Sequence, residues 1–140
     1  MSSKIGIQEY LGIKIDYEKE ALLNTFAKET LKDRYHWQEE EYAQESFARA
    51  SVYCATYRGD TDFALAQRLY NYVSSLWFMF STPILSNGGT SRGLPISCFL
   101  NYVPDSRSGL SSHYDENIWL ASGGGGIGGY WGGVRSNGVD

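Results

Sequence analysis

STPILSNGGTSRGLPISC, residues 81–98, divides the sequence into two kinds of chain. Before it, apolar residues recur at helical spacing. Within and after it, short apolar runs sit between glycine, proline and serine breaks, the pattern of buried strands joined by loops. Upstream, DYEKEALLNTFAKETLKDRY places Leu23, Ala27, Leu31 and Tyr35 on one stripe, with Leu22 and Phe26 beside it and Asp16 as N-cap. A second helix is expected over about 41–57, where Phe47, Ala50, Cys54 and Tyr57 share a buried face and Gly59 supplies the stop. A third, over roughly 61–80, aligns Leu65, Leu69, Tyr72, Leu76 and Phe80. It ends before Thr82-Pro83, because proline disfavours helix in the residue before it. Residues 1–80 therefore read as a small helical bundle, and the residues after Ser81 as short buried strands with loops.

Downstream, 96–103 is the best strand. A short helix is expected over 111–122, with Asp115 and Glu116 in its first turn, where the helix dipole favours anions. Nine of the 16 glycines then crowd between Gly123 and Gly138, which reads as a loop that approaches something closely. A strand or two and a glycine loop leave sheet edges unpaired, so more protein is expected to follow or dock.

The composition narrows the function. With 42% hydrophobic and 15% aromatic residues the chain can pack a core, and a formal net charge of -4 gives no basic footprint for nucleic acid or an anionic membrane. Any bound nucleotide is then a small molecule. No stretch approaches the roughly 20 apolar residues that span a bilayer, and the amino terminus has no apolar signal region, so a cytoplasmic protein is expected. Cys54 and Cys98 are too few for a disulfide scaffold and have no metal-ligand spacing with His36 and His113. No bound metal is expected.

Singly, the chemical residues are ambiguous. Cys98, in a strand, reads first as a small buried hydrophobe. A glycine run is more often a flexible tail, and here the order helix then glycines argues against a dinucleotide-binding turn. His36 and His113 read as surface or helix-end residues, and Glu39 to Glu41 as a solvated helix start.

The combination is more specific. STPILSNGGTSRGLPISC at 81–98, FLNYVPDS to 106 and GGIGGYWGGVRS at 125–136 resemble, in order and spacing, the large subunit of ribonucleotide reductases. In that family a Thr-Pro opens the first strand of a ten-stranded α/β barrel and a Ser-Cys pair ends a substrate loop. An Asp follows seven residues later, and a Gly-Ile-Gly loop precedes an Arg. The resemblance covers residues from about 41 on, while the first forty match only in being helical. It implies a helical domain over 1–80 and, over 81–140, the first strands of the barrel with its substrate and specificity loops.

By this resemblance Cys98 matches the reducing cysteine, which forms a disulfide with a second cysteine on a later strand as the ribose is reduced. Thr82 and Ser97 match positions that hold substrate phosphate and ribose, and Gly126 matches the loop beside the ribose. Asp105 and Ser106 match the specificity site for dNTP or ATP effectors, and Arg135 matches the arginine on the effector phosphate. The helix at 111–122 is implied at a homodimer interface. Other implied partners are a radical-generating, metal-containing small subunit, thioredoxin or glutaredoxin as external reductant, and the carboxy-terminal portion of the large subunit. That portion would carry the radical cysteine, its Asn and Glu neighbours, the second reducing cysteine and the shuttle cysteines. The chain itself is expected to bind no cofactor.

Two departures stand out. The forty residues before the matching region are too short for the ATP-binding cone of many members, and Tyr130 and Trp131 occupy a loop that is usually small and aliphatic. The resulting expectation is a class I ribonucleoside-diphosphate reductase part, inactive alone, serving deoxyribonucleotide synthesis for DNA replication. Its end at Asp140 fits a split gene, an intein boundary or a fragment; the split gene is favoured because the chain opens on Met1 with no tag. An adenosylcobalamin-dependent (class II) part and a non-catalytic nucleotide-binding remnant are the alternatives.

Overall fold

The computed structural model describes residues 4–139 and divides into two compact units that change over at Pro95–Ile96. The first begins with strands β1 (Ile7–Tyr10) and β2 (Ile13–Asp16), an antiparallel hairpin in which Ile7 pairs with Asp16 and Tyr10 with Ile13. Its two-residue turn, Leu11-Gly12, has φ of 51° and 81°, the left-handed pair that matches the twist of the flanking strands. A 3-10 turn (Tyr17–Leu22) and helices α1 (Thr25–Arg34) and α2 (Ala43–Cys54) follow. A second small hairpin, β3 (Thr56–Tyr57) and β4 (Asp60–Thr61), leads to α3 (Phe63–Ser74) and α4 (Thr82–Asn87).

Helix α2 is the centre of this unit. All nine residues from Ala43 to Ser51 are buried, and Phe47, Ile15, Tyr70 and Val73 meet around it. Each large apolar side chain removed from water contributes about 1.5 to 3 kcal/mol. The polar residues on this buried helix are mostly engaged, although Gln44, whose Oε1 accepts from the Tyr70 hydroxyl at 2.9 Å, leaves its Nε2 without a partner. Glu45 caps its amino end, accepting from the N–H groups of Glu41 (2.7 Å) and Tyr42 (3.1 Å), and it also accepts from Lys4 and from the Tyr17 hydroxyl. Arg49 donates to Glu40 at 2.6 Å, to Tyr35 O at 3.0 Å, and to the Leu85 and Gly88 carbonyls at 3.0 and 2.7 Å, which ties α4 to α2.

Several sequence expectations are corrected here. The first forty residues are not simply helical: 7–16 form a hairpin, and Asp16 caps the 3-10 turn, accepting from Glu18 N at 3.0 Å, while Asn24 caps α1 itself. Glu40 is buried against Arg49 rather than solvated. Cys54 is exposed, because α2 ends there and buries its first nine residues instead. Gly59 turns the β3–β4 hairpin with φ of 85°, and Ala55 is the actual cap of α2. Helix α3 stops at Ser74. Its buried face is Ala66, Tyr70, Val73 and Ser74, with Tyr72 and Leu76 exposed, because small Ala66 admits close packing and Tyr70 reaches Gln44 and the Asp16 N–H. Thr82-Pro83 opens a helix and not a strand, with proline in the first turn, where its missing N–H costs nothing.

The second unit is a strand–helix–strand: β5 (Cys98–Tyr102), α5 (Arg107–Ser122) and β6 (Gly126–Tyr130). The strands are parallel, so a crossover is obligatory and α5 provides it. Part of the expected glycine loop, Gly126–Tyr130, is thus a strand, and its glycines let the Phe99 and Leu100 side chains approach closely. Ser106 starts α5 earlier than expected, which leaves Asp115 and Glu116 mid-helix. His113 is buried, 4% exposed, rather than at the surface. Among the described residues no helix is long and apolar enough to cross a membrane.

Candidate functional site

The parallel pair sorts the candidate residues into two groups. Register sets Cys98 opposite Gly126 at the amino ends of β5 and β6 and Tyr102 opposite Tyr130 at their carboxyl ends, about 13 Å away for four strand steps. At the first end, Gly126 N donates to Ser97 O at 2.6 Å, and the exposed Cys98 Sγ lies 4.0 Å from Ser97 Oγ. A Cβ on Gly126 would meet only Ser97 O, at an ordinary 3.6 Å, so packing within the chain does not require glycine there.

At the second end the chain leaves β5 through Pro104, Asp105 and Ser106. The Ser106 hydroxyl accepts from Gly109 N at 3.0 Å and caps α5, whose free N–H groups therefore face the same region. The chain leaving β6 brings back Arg135, whose Nε donates to Asp105 Oδ2 at 2.7 Å. Carboxyl ends of parallel strands, next to a helix amino terminus, are where α/β folds place ligands. A cleft of about 260 Å³ opens here, lined by Tyr102, Pro104, Ser106, Ser112, His113 and Glu116 among others.

Thr82 lies in the first unit, at the start of α4, where its hydroxyl is 3.4 Å from that of Tyr35. Sequence reasoning passes over the polar chain beneath α5. Asn101 Nδ2 donates to Asn117 Oδ1 at 3.0 Å, and Asn117 Nδ2 lies 3.0 Å from His113 Nε2. His113 Nδ1, also buried, has no hydrogen-bond partner. The ring also meets Trp131 edge to face, with centroids 5.0 Å apart. The only trace of this in the sequence is the one-turn spacing of His113 and Asn117. Among the described residues no group of three or more His, Cys, Asp or Glu is placed to hold a metal.

A helical unit followed by a parallel strand–helix–strand with a thiol at one end and a carboxylate–guanidinium pair at the other defines a class that comparison with known proteins identifies. The family model described as "Ribonucleotide reductase, all-alpha domain" matches residues 21–93. The large subunit of ribonucleoside-diphosphate reductase from Invertebrate iridescent virus 3 is 43% identical over 117 residues, which is 83% of this chain and 18% of that protein. The Helicobacter pylori (strain 26695) alpha subunit is 30% identical over 135 residues, 93% of this chain and 17% of its own length. Among solved structures, the Actinobacillus ureae class Id ribonucleotide reductase alpha subunit superposes with a TM-score of 0.72 at 30% identity, over 89% of this chain and 23% of that one.

The chain belongs to the ribonucleotide reductase large-subunit family and corresponds to its amino-terminal portion. It spans less than a fifth of the curated relatives named here.

Proposed function

We propose that this chain supplies the first reducing thiol and the effector-binding loops of a ribonucleoside-diphosphate reductase, and that it acts only together with the remainder of the large subunit. The single observation that carries this reading is the Asp105–Arg135 pair: two side chains assigned to one effector site by resemblance meet at 2.7 Å beside a helix amino terminus. Asp105 accepts hydrogen bonds from effector hydroxyls, and Arg135 offers its fork of donors to phosphate. Cys98 is exposed, as a thiol that meets substrate must be. Gly126 opposite it is required by nothing inside the chain, which fits a ribose approaching at that point.

The chemistry assigned to Cys98 balances with one partner. Replacing the ribose 2'-hydroxyl by hydrogen releases water and takes two electrons, which two thiols provide by becoming a disulfide. Cys98 is one thiol, and the second belongs to the remaining polypeptide, as does the radical cysteine. Thr82 and Ser97 take the substrate phosphate and ribose. The parallel β5 and β6 are the first strands of the barrel, and their free edges pair with the strands that follow. Tyr114, Ile118 and Trp119 are exposed on α5, an apolar face suited to a second copy in the homodimer. The small subunit, its radical, and thioredoxin or glutaredoxin serve the assembled enzyme, as class I requires.

The experiment is reconstitution. The chain, combined with a polypeptide carrying the rest of a related large subunit, a small subunit and a dithiol reductant, is expected to convert ribonucleoside diphosphates to deoxy products, while either part alone does not. Full activity of the complementing polypeptide without this chain would reject the proposal.

A further inference from the structure

The segment joining β6 to Arg135 packs closely on two tyrosines of the parallel strand pair. Tyr102 and Tyr130 face each other in register across the parallel strands, their rings stacked with centroids 5.9 Å apart at 23°. Immediately after Tyr130 the chain makes a hydrogen-bonded four-residue turn, in which Val134 N donates to Trp131 O at 3.0 Å. Its two central residues are Gly132 and Gly133. Neither has a positive φ, so dihedral freedom does not explain them. Steric access does. A Cβ on Gly132 would lie 2.6 Å from the Tyr130 hydroxyl, and one on Gly133 would overlap the hydroxyl of Tyr102. The turn is folded down onto the phenol ends of the stack, and two residues later the chain presents Arg135 to Asp105.

We propose that Tyr102 and Tyr130 are positioning residues for Arg135: the stacked rings form the floor on which the Gly132-Gly133 turn rests, and this fixes the direction in which the guanidinium leaves the loop. Trp131, the first residue of the same turn, is held edge to face on buried His113. The ion pair cannot perform this task itself, since its arginine is 52% exposed and such a pair is too weak to order a glycine-rich segment. The functional meaning rests on the effector-site reading above, but the positioning does not.

The test uses the whole chain labelled with 15N-arginine, and reads the Arg135 Nε–H resonance and its protection from solvent exchange. The parent and Tyr130→Phe, which keeps the ring stack, are expected to show the same protected signal. Tyr130→Leu, which keeps an apolar strand residue without a stackable ring, is expected to lose that protection while the β5–β6 backbone amides stay in place. Gly133→Val is expected to lose it as well. Retained protection in Tyr130→Leu with the strands intact would overturn the proposal. A second arm titrates dNTP in the assembled enzyme: about ten-fold weaker binding by Tyr130→Leu is expected, with Tyr130→Phe unchanged, the size of one misplaced charged hydrogen bond. If no form bound nucleotide but the resonance behaved as expected, positioning would stand and the effector reading would fall.

Discussion

Arg135 Nε donates to Asp105 Oδ2 across 2.7 Å, joining residues thirty positions apart in the sequence. Their side chains remain 52% and 34% exposed, so the pair itself contributes about 0 to 1 kcal/mol to stability. Its importance is directional, since it places a guanidinium and a carboxylate at one end of a parallel strand pair.

Removing either charge is therefore expected to leave folding almost unchanged and to weaken effector dNTP binding. Losing one charged hydrogen bond costs about 1.5 to 3 kcal/mol, roughly ten-fold to more than a hundred-fold in affinity. Effector titration of Asp105→Asn and Arg135→Gln in the assembled enzyme checks this. Parent-like curves from both would remove the residues from the site.

Cys98→Ser is expected to abolish multiple-turnover, dithiol-driven reduction in the assembled enzyme with little effect on folding, because the side chain is exposed and the change nearly isosteric. Cys54→Ser, in the other unit, is expected to spare it. Turnover assays on the pair of variants distinguish a reacting thiol from an incidental one.

Arg49 lies almost wholly buried beside Glu40 and holds three backbone carbonyls. Arg49→Met would strand the Glu40 carboxylate, at a cost of about 3 to 5 kcal/mol, and release the carboxyl end of α4, the helix that carries Thr82. The double variant with Glu40→Gln is expected to recover part of the loss. Urea unfolding of the three proteins measures it.

Burial pushes the Glu45 carboxyl up, but hydrogen bonds from Lys4, the Glu41 N–H, Tyr17 and the Tyr42 N–H outweigh burial and leave it below its usual value. A depressed folded-state value contributes stability above the unfolded value, 4.5, and that contribution is lost as pH falls through the folded one. Glu45→Gln is expected to destabilise the first unit at pH 7, by about 1 to 3 kcal/mol for each buried donor left unpaired, and to flatten its acid sensitivity. Urea midpoints of parent and variant between pH 7 and pH 3 test the sign.

Exposed Ile118 and Trp119 on α5 predict that Ile118→Glu weakens self-association of the assembled large subunit. Sedimentation velocity at several concentrations, with and without effector, reads the shift, and an unchanged dimer would move the interface elsewhere.

What the sequence determined by itself was local pattern and motif order. Of the stripe Leu23, Ala27, Leu31 and Tyr35, Leu31 is buried on α1 and the other three are half-buried, with Leu23 and Tyr35 just beyond its ends; the strand at 96–103 forms as β5 over Cys98–Tyr102, and the order and spacing of the motifs at 81–98, 99–106 and 125–136 indicated the family. These features depend on residues near one another in sequence or on motifs whose order alone is informative. Only the tertiary structure decided the rest. Whether 7–16 coil or pair, which face of α3 is buried, and whether 126–130 make a loop or a strand all depend on what the neighbouring element offers. Here it was Tyr70 reaching Gln44 and the Asp16 N–H, and β5 lending its edge to a glycine-rich segment. The burial of His113 and the meeting of Asp105 with Arg135 belong to the same group. Periodicity records how a segment is patterned, and long-range packing decides which partner satisfies it.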